Sequence, residues 1–173
     1  MAPRFRLRLD LSAIPHWAAR FTDNGSDNAI LERIRPEVLT RGHLTKAEFL
    51  TICAWKSPRS KPRCRENSEH TVRTLTRAAL ASSDEALKLD LLRLLRGVEW
   101  PTASSILHFC DARPYPILDY RAIWSLGIAK PPSYTMEFWL EYLAFTRGLA
   151  ARLALPIRTV DKALWQYSKE RQR

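Results

Sequence analysis

Asp119 stands in the run Pro116-Ile117-Leu118-Asp119-Tyr120-Arg121-Ala122-Ile123-Trp124, where apolar positions predict a helix that begins at or just after the acid. A carboxylate there does one of two things. It caps the helix by accepting its first free N–H groups, or it is held as a fixed negative charge against a positive charge that develops on a substrate. Lys56 is the second reactive candidate. Unprotonated, its amine is a nucleophile; protonated, it is a phosphate contact. The third feature is Leu95-Arg96-Gly97-Val98-Glu99-Trp100-Pro101-Thr102-Ala103-Ser104-Ser105. Gly97 reaches positive φ without steric cost and ends one helix. Pro101 suits the first turn of the next. Helix, tight hairpin and helix result, and the second helix start offers free N–H groups and a positive dipole end to a phosphate. The histidines (His16, His43, His70, His108) and cysteines (Cys53, Cys64, Cys110) lack metal-ligand spacing, so no metal and no cofactor is expected.

The elements that must position these groups are helical. Residues 4–11 alternate charged and apolar with period two, which predicts a short strand or arm packed on the body. Helices are expected over 14–21 and 28–35, with residues 23–27 as a loop and Pro36 as a limit or a fresh start. Thr45 and Glu48 form a capping-box pattern ahead of the apolar stripe Phe49, Leu50, Ile52, Cys53 and Trp55. Pro58 and Pro62 predict a loop, Asn67 a helix cap, and Ser83 another. After a loop over 130–133, Met136, Trp139, Tyr142, Leu143, Phe145, Leu149 and Leu153 trace a long amphipathic helix. Pro156 opens the last helix, with Val160, Ala163, Leu164 and Tyr167 on one face and Trp165 off it. The expectation is an all-α single domain over 1–173, of about eight helices.

Composition sets the partner class. The chain has 173 residues, 46% hydrophobic and 27% charged, as in a soluble globular protein. Lys and Arg number 28 against 18 Asp and Glu, which favours polyanions, nucleic acid first. Between Ala54 and Leu80, seven cations (Lys56, Arg59, Lys61, Arg63, Arg65, Arg73, Arg77) face only Glu66 and Glu69. Such a run is either a solvated face or a phosphate-contact surface. An odd, widely spaced cysteine set fits a reducing cytoplasm, and no apolar stretch predicts a membrane span or a secretion signal.

The pattern Gly97-Val98 followed by Thr102-Ala103-Ser104, then Pro116-Ile117-Leu118-Asp119-Tyr120-Arg121-Ala122-Ile123-Trp124, resembles the helix–hairpin–helix superfamily of DNA glycosylases, its 8-oxoguanine glycosylase-like members in particular, over residues 91–127. The resemblance implies a compact glycosylase-like domain, probing double-stranded DNA as a monomer. It implies Asp119 as catalytic carboxylate and Gly97, Val98, Trp100, Thr102 and Arg121 against DNA. Lys56 and Arg59 would add phosphate contacts; Trp55 either supports its loop or lines a base pocket with Ser105, and Trp165 either stacks on a base there or flanks the core. Two positions depart from the pattern. Pro101 stands where bifunctional members carry a Schiff-base lysine, so the expected activity is hydrolytic, leaving an abasic site. Glu99 replaces the second hairpin glycine, so it points away from DNA or the hairpin holds DNA less tightly. The base is oxidised guanine, implying repair, or a hypermodified phage-type cytosine, implying antiviral defence. The alternatives are a non-catalytic helix–hairpin–helix DNA-binding module, in which Asp119 is only a cap, and a phage-defence interaction protein.

Overall fold

Backbone punctuation divides the chain into helices joined by short turns. A computed structural model describes residues 4–22, 26–130 and 133–172. Two compact units emerge, Met1–Thr22 with Pro114–Arg173, and Asp23–Arg113. Among the described residues all regular structure is helical.

The first unit holds α1 (Ile14–Ala19), and the second runs from α2 (Ser26–Ala29) through a wide π turn (Ile30–Ile34) into α3 (Arg35–Arg41). Pro36 therefore does not end the helix as one alternative predicted; it sits in the first turn of α3, where its missing N–H is harmless. Of the loop expected over 23–27, Ser26 and Asp27 begin α2, and Asp23, Asn24 and Gly25 lie outside the described residues. α4 (Lys46–Lys56) starts at the expected capping box, with Thr45 Oγ1 accepting from Glu48 N at 3.3 Å and Glu48 accepting from Thr45 N at 2.8 Å. The prolines beyond it do not keep the chain irregular. A 3-10 turn, Pro58–Ser60, leads into α5 (Lys61–Arg65), with each proline in a first turn.

α6 (Glu69–Ala81), α7 (Glu85–Arg93) and α8 (Trp100–Cys110) complete this unit. The caps of α6 and α7 are Ser68 and Asp84, each one residue after the residue expected. Asp84 accepts from both Ala86 N and Leu87 N, which a serine hydroxyl at position 83 does not match. α8 is the central element: residues 102–110 are all buried, the mark of an interior helix. Val38, Phe49, Ile52, Val72, Leu89, Leu92, Ile106 and Phe109 make the core around it.

In the first unit, α9 (Tyr120–Ser125), α10 (Met136–Leu153) and α11 (Ile157–Arg171) pack with α1. Pro156 is the N-cap of α11, as expected, and Thr135 caps α10 by accepting from Phe138 N. Of the loop expected over 130–133, Pro131 and Pro132 lie outside the described residues. Of the strand or arm expected at the N-terminus, the described residues form the arm. Residues 4–9 are an extended arm with Phe5 and Leu9 buried, but Arg6 N and Arg8 N donate to Leu126 O and Ser125 O, each at 2.9 Å. Its partner is the end of a helix, so no ladder can propagate. Phe5 packs edge-on to Phe138 and Tyr142 and closes the core of this unit.

Candidate nucleic-acid interface and carboxylate site

The Asp23–Arg113 unit carries the hairpin. Gly97 adopts φ +80°, and a Cβ built there would lie 2.7 Å from Cys64 Sγ, 2.9 Å from Cys64 N and 3.1 Å from Ser60 O. Only glycine lets the turn come this close to α5. Asn67 fixes the same turn: its Nδ2 donates to Arg96 O and its Oδ1 accepts from Arg96 N, each at 2.9 Å. Asn67 is thus a buried clamp rather than a helix cap. Outside, Arg96 Nη1 meets Glu66 Oε2 at 2.7 Å. The hairpin and the basic segment around Lys61, Arg63 and Arg65 are therefore neighbours, a relationship no local pattern predicts.

Glu99 is the N-cap of α8 but makes no capping bond with its side chain, and it is exposed. Val98 and Thr102 turn inward at 3% and 2% exposure, so at the hairpin their backbone, not their side chains, is what a partner can reach. Trp100 is half-buried under the Arg93 guanidinium, 4.0 Å from the ring centre. Ser105 is fully buried and donates to Pro101 O at 2.9 Å, so its hydroxyl serves the first turn of α8. Trp55 is half-buried and sits edge-on to Phe109 at 4.9 Å, a supporting role for α8. Lys56, at the end of α4, is half-buried, and Arg59 is exposed on the following turn.

The other unit carries Asp119, Arg121 and Trp165. Asp119 is the N-cap of α9, its Oδ1 accepting from Arg121 N at 2.9 Å, and it is half-buried. The backbone before it is braced. Tyr142 of α10 donates its hydroxyl to Ile117 O at 2.9 Å, and Asp161 of α11 accepts from Ile117 N at 3.1 Å. Both braces are buried. Burial raises the phenols of Tyr134 and Tyr142, and the negative charge of Asp119 raises both further, with Asp161 adding to Tyr142. Both phenols are thereby kept in their neutral form. Tyr142 was legible only as one member of an apolar stripe, and Tyr134 and Asp161 carried no motif. The available signal was Asp161 itself, an acid beside Val160 on the buried face of α11.

Trp165 is half-buried, edge-on to Phe21 at 5.3 Å, with the Arg121 guanidinium and Lys169 ammonium 5.5 and 5.1 Å from its ring centre. The cysteines are buried free thiols, and burial raises Cys53 and Cys110, which keeps both protonated and inert. Among the described residues no helix is long and apolar enough to cross a membrane. Compared with family models, curated proteins and solved structures, the chain matches none.

Proposed function

We propose that this protein is a monofunctional DNA N-glycosylase that extrudes a damaged or modified base from double-stranded DNA and hydrolyses its glycosidic bond. The observation that carries the reading is the bracing of Asp119. A residue that only caps a six-residue helix has no need of a buried phenol and a buried carboxylate locking the preceding loop. A catalytic carboxylate does, because electrostatic stabilisation works only from a fixed position.

An extruded base is first held outside the stack. As the bond from C1′ to the base nitrogen breaks, the bonding electrons leave with the base and positive charge builds on the sugar. Asp119 stabilises that charge and orients a water. The water oxygen bonds to C1′ as it gives a proton to the Asp119 carboxylate, and the departing base takes up one proton. The products are free base and a C1′ hydroxyl. An abasic site remains. Pro101 offers no amine for a covalent alternative. The docked Gly97 hairpin, with the α8 start behind it and the Lys61–Arg65 segment beside it, supports phosphate contact on one strand.

A non-catalytic DNA-binding module is the second reading, favoured by one observation: Asp119 does make a cap bond, to Arg121 N. Release of free base from duplexes carrying oxidised guanine or hypermodified cytosine decides between them. Release by the wild-type chain and not by Asp119→Asn supports the glycosylase; binding without release from either panel makes it a binding module.

A further inference from the structure

α11 has a second face, of which the glycosylase reading uses only Trp165, with Arg121 of α9 beside it. Arg158, Lys162, Trp165 and Lys169 follow one another at helical spacing, the first three half-buried and Lys169 exposed, and no acid stands between them in the stripe. The stripe runs for about 16 Å. Phe21 lies alongside, with the Arg158 guanidinium 5.5 Å and the Lys162 ammonium 5.2 Å from its ring centre. Arg121 approaches Trp165 from α9 at 5.5 Å. The acids on α11 are engaged elsewhere: Glu170 is paired with Arg20 at 2.9 Å, and Asp161 is turned inward to Ile117 N.

We propose that this stripe is a binding surface for an unpaired nucleic-acid strand, with a base stacked on Trp165 and phosphates taken by the cations around it. Two aromatic rings hold the cations in one region, which lowers the entropic cost of gathering them on a backbone. Paired bases in a duplex present no open ring face, whereas an unpaired strand offers one to every aromatic side chain it passes. The inference does not rest on Asp119 being catalytic, since strand binding is read without any base release.

Fluorescence anisotropy of the full chain with a labelled thymidine homopolymer, and with a duplex of mixed sequence, tests it. Trp165→Leu is expected to weaken single-strand binding about tenfold while leaving the salt slope unchanged. Trp165→Phe, which keeps an aromatic face, is expected to restore most of that loss, and thermal melts establish that both variants are folded. Lys162→Gln with Lys169→Gln is expected to reduce the slope of log K against log salt by about 1.4, at roughly 0.7 per phosphate contact on a single strand. Unchanged single-strand affinity in Trp165→Leu overturns the proposal. So does an equal loss on the duplex, which would mean the surface reads phosphate alone.

Discussion

Gly97 and Cys64 approach so closely that no side chain fits between them: a Cβ at Gly97 would stand 2.7 Å from the sulfur and 2.9 Å from the Cys64 amide nitrogen. The backbone there is also left-handed, at φ +80°. Gly97→Ala is therefore expected to cost about 2–4 kcal/mol, combining left-handed strain with a clash against backbone that cannot swing away. Urea denaturation measures it. Cys64→Ala removes the sulfur but not the nitrogen, so the double variant should remain destabilised relative to Cys64→Ala alone. Full recovery would mean the hairpin adapts and the contact with α5 is loose.

Asp119→Asn separates the two roles of the carboxylate. Asparagine caps a helix about as well as aspartate, so stability should fall by only a few tenths of a kcal/mol. The fixed negative charge is gone, however, and base release should drop about 10²-fold or more, with DNA affinity largely kept because the charge matters most in the transition state. Asp119→Ala should add the loss of the cap, about 1 kcal/mol. Undiminished release by the asparagine variant would make capping the whole function of this residue.

What could be read from the sequence was whatever is local. The Thr45–Glu48 capping box, the left-handed turn at Gly97, Pro101 in the first turn of α8 and the long helix α10 each depend on a few neighbouring residues and formed where expected. α7, however, ends earlier than Gly97, at Arg93 with Leu94 as its C-cap. Long-range partners were invisible. Asn67 looked like a cap because its true partner, Arg96, is far along the chain. The period-two arm from Arg4 to Leu9 correctly implied half-burial, but not that its hydrogen-bonding partner would be a helix end instead of a strand. The braces on Asp119 were hidden for the same reason: a buried tyrosine hydroxyl and a buried aspartate reveal their use only when Ile117 is placed between them.

Lys88 shows how a charge in an amphipathic pattern can mislead. It is 1% exposed, ion-paired with buried Asp111, and donates to Leu80 O at 3.2 Å, joining α6, α7 and the end of α8. Removing one partner of a buried pair strands the other, so Lys88→Met is expected to cost about 3–5 kcal/mol in chemical denaturation. Asp111 also accepts from Arg113 N at 2.9 Å. A loss under about 1 kcal/mol would show that Arg113 alone can satisfy the carboxylate.

Acid should weaken the Asp23–Arg113 unit in two stages. Burial lowers His43 from its ordinary 6.5, and the charges of Arg77, Arg41 and Arg73 lower it further, against a raising contribution from the Arg41 carbonyl. The unfolded chain then binds a proton below 6.5 that the folded chain refuses, so stability falls as pH drops through that window. Glu48 follows at lower pH. Burial pushes it up, but the Thr45 N–H and Arg41 outweigh this and hold it below its ordinary 4.5, so its contribution is lost as pH falls through the depressed value. Urea midpoints across a pH series should show the first stage disappear in His43→Gln and the second persist. An unaltered profile in that variant would assign the upper stage to another group.

Strand cleavage gives the sharpest test of the proposed chemistry. Pro101 lies in the first turn of α8, where a lysine would supply a Schiff base in a bifunctional enzyme. Base release should therefore leave the backbone intact until alkali or heat is applied. Lys56 is the rival amine, half-buried at the last position of α4 and ahead of the basic turn through Arg59. On the proposed reading Lys56 only contacts phosphate and forms no covalent bond to the sugar. Borohydride added during turnover traps a Schiff base as a covalent protein–DNA adduct. No adduct is expected from the wild-type chain, and Lys56→Ala should lower DNA affinity and reduce the slope of log K against log salt by about 0.9 without changing the products. An adduct that vanishes in Lys56→Ala would replace water with Lys56 as the nucleophile and make the enzyme a lyase.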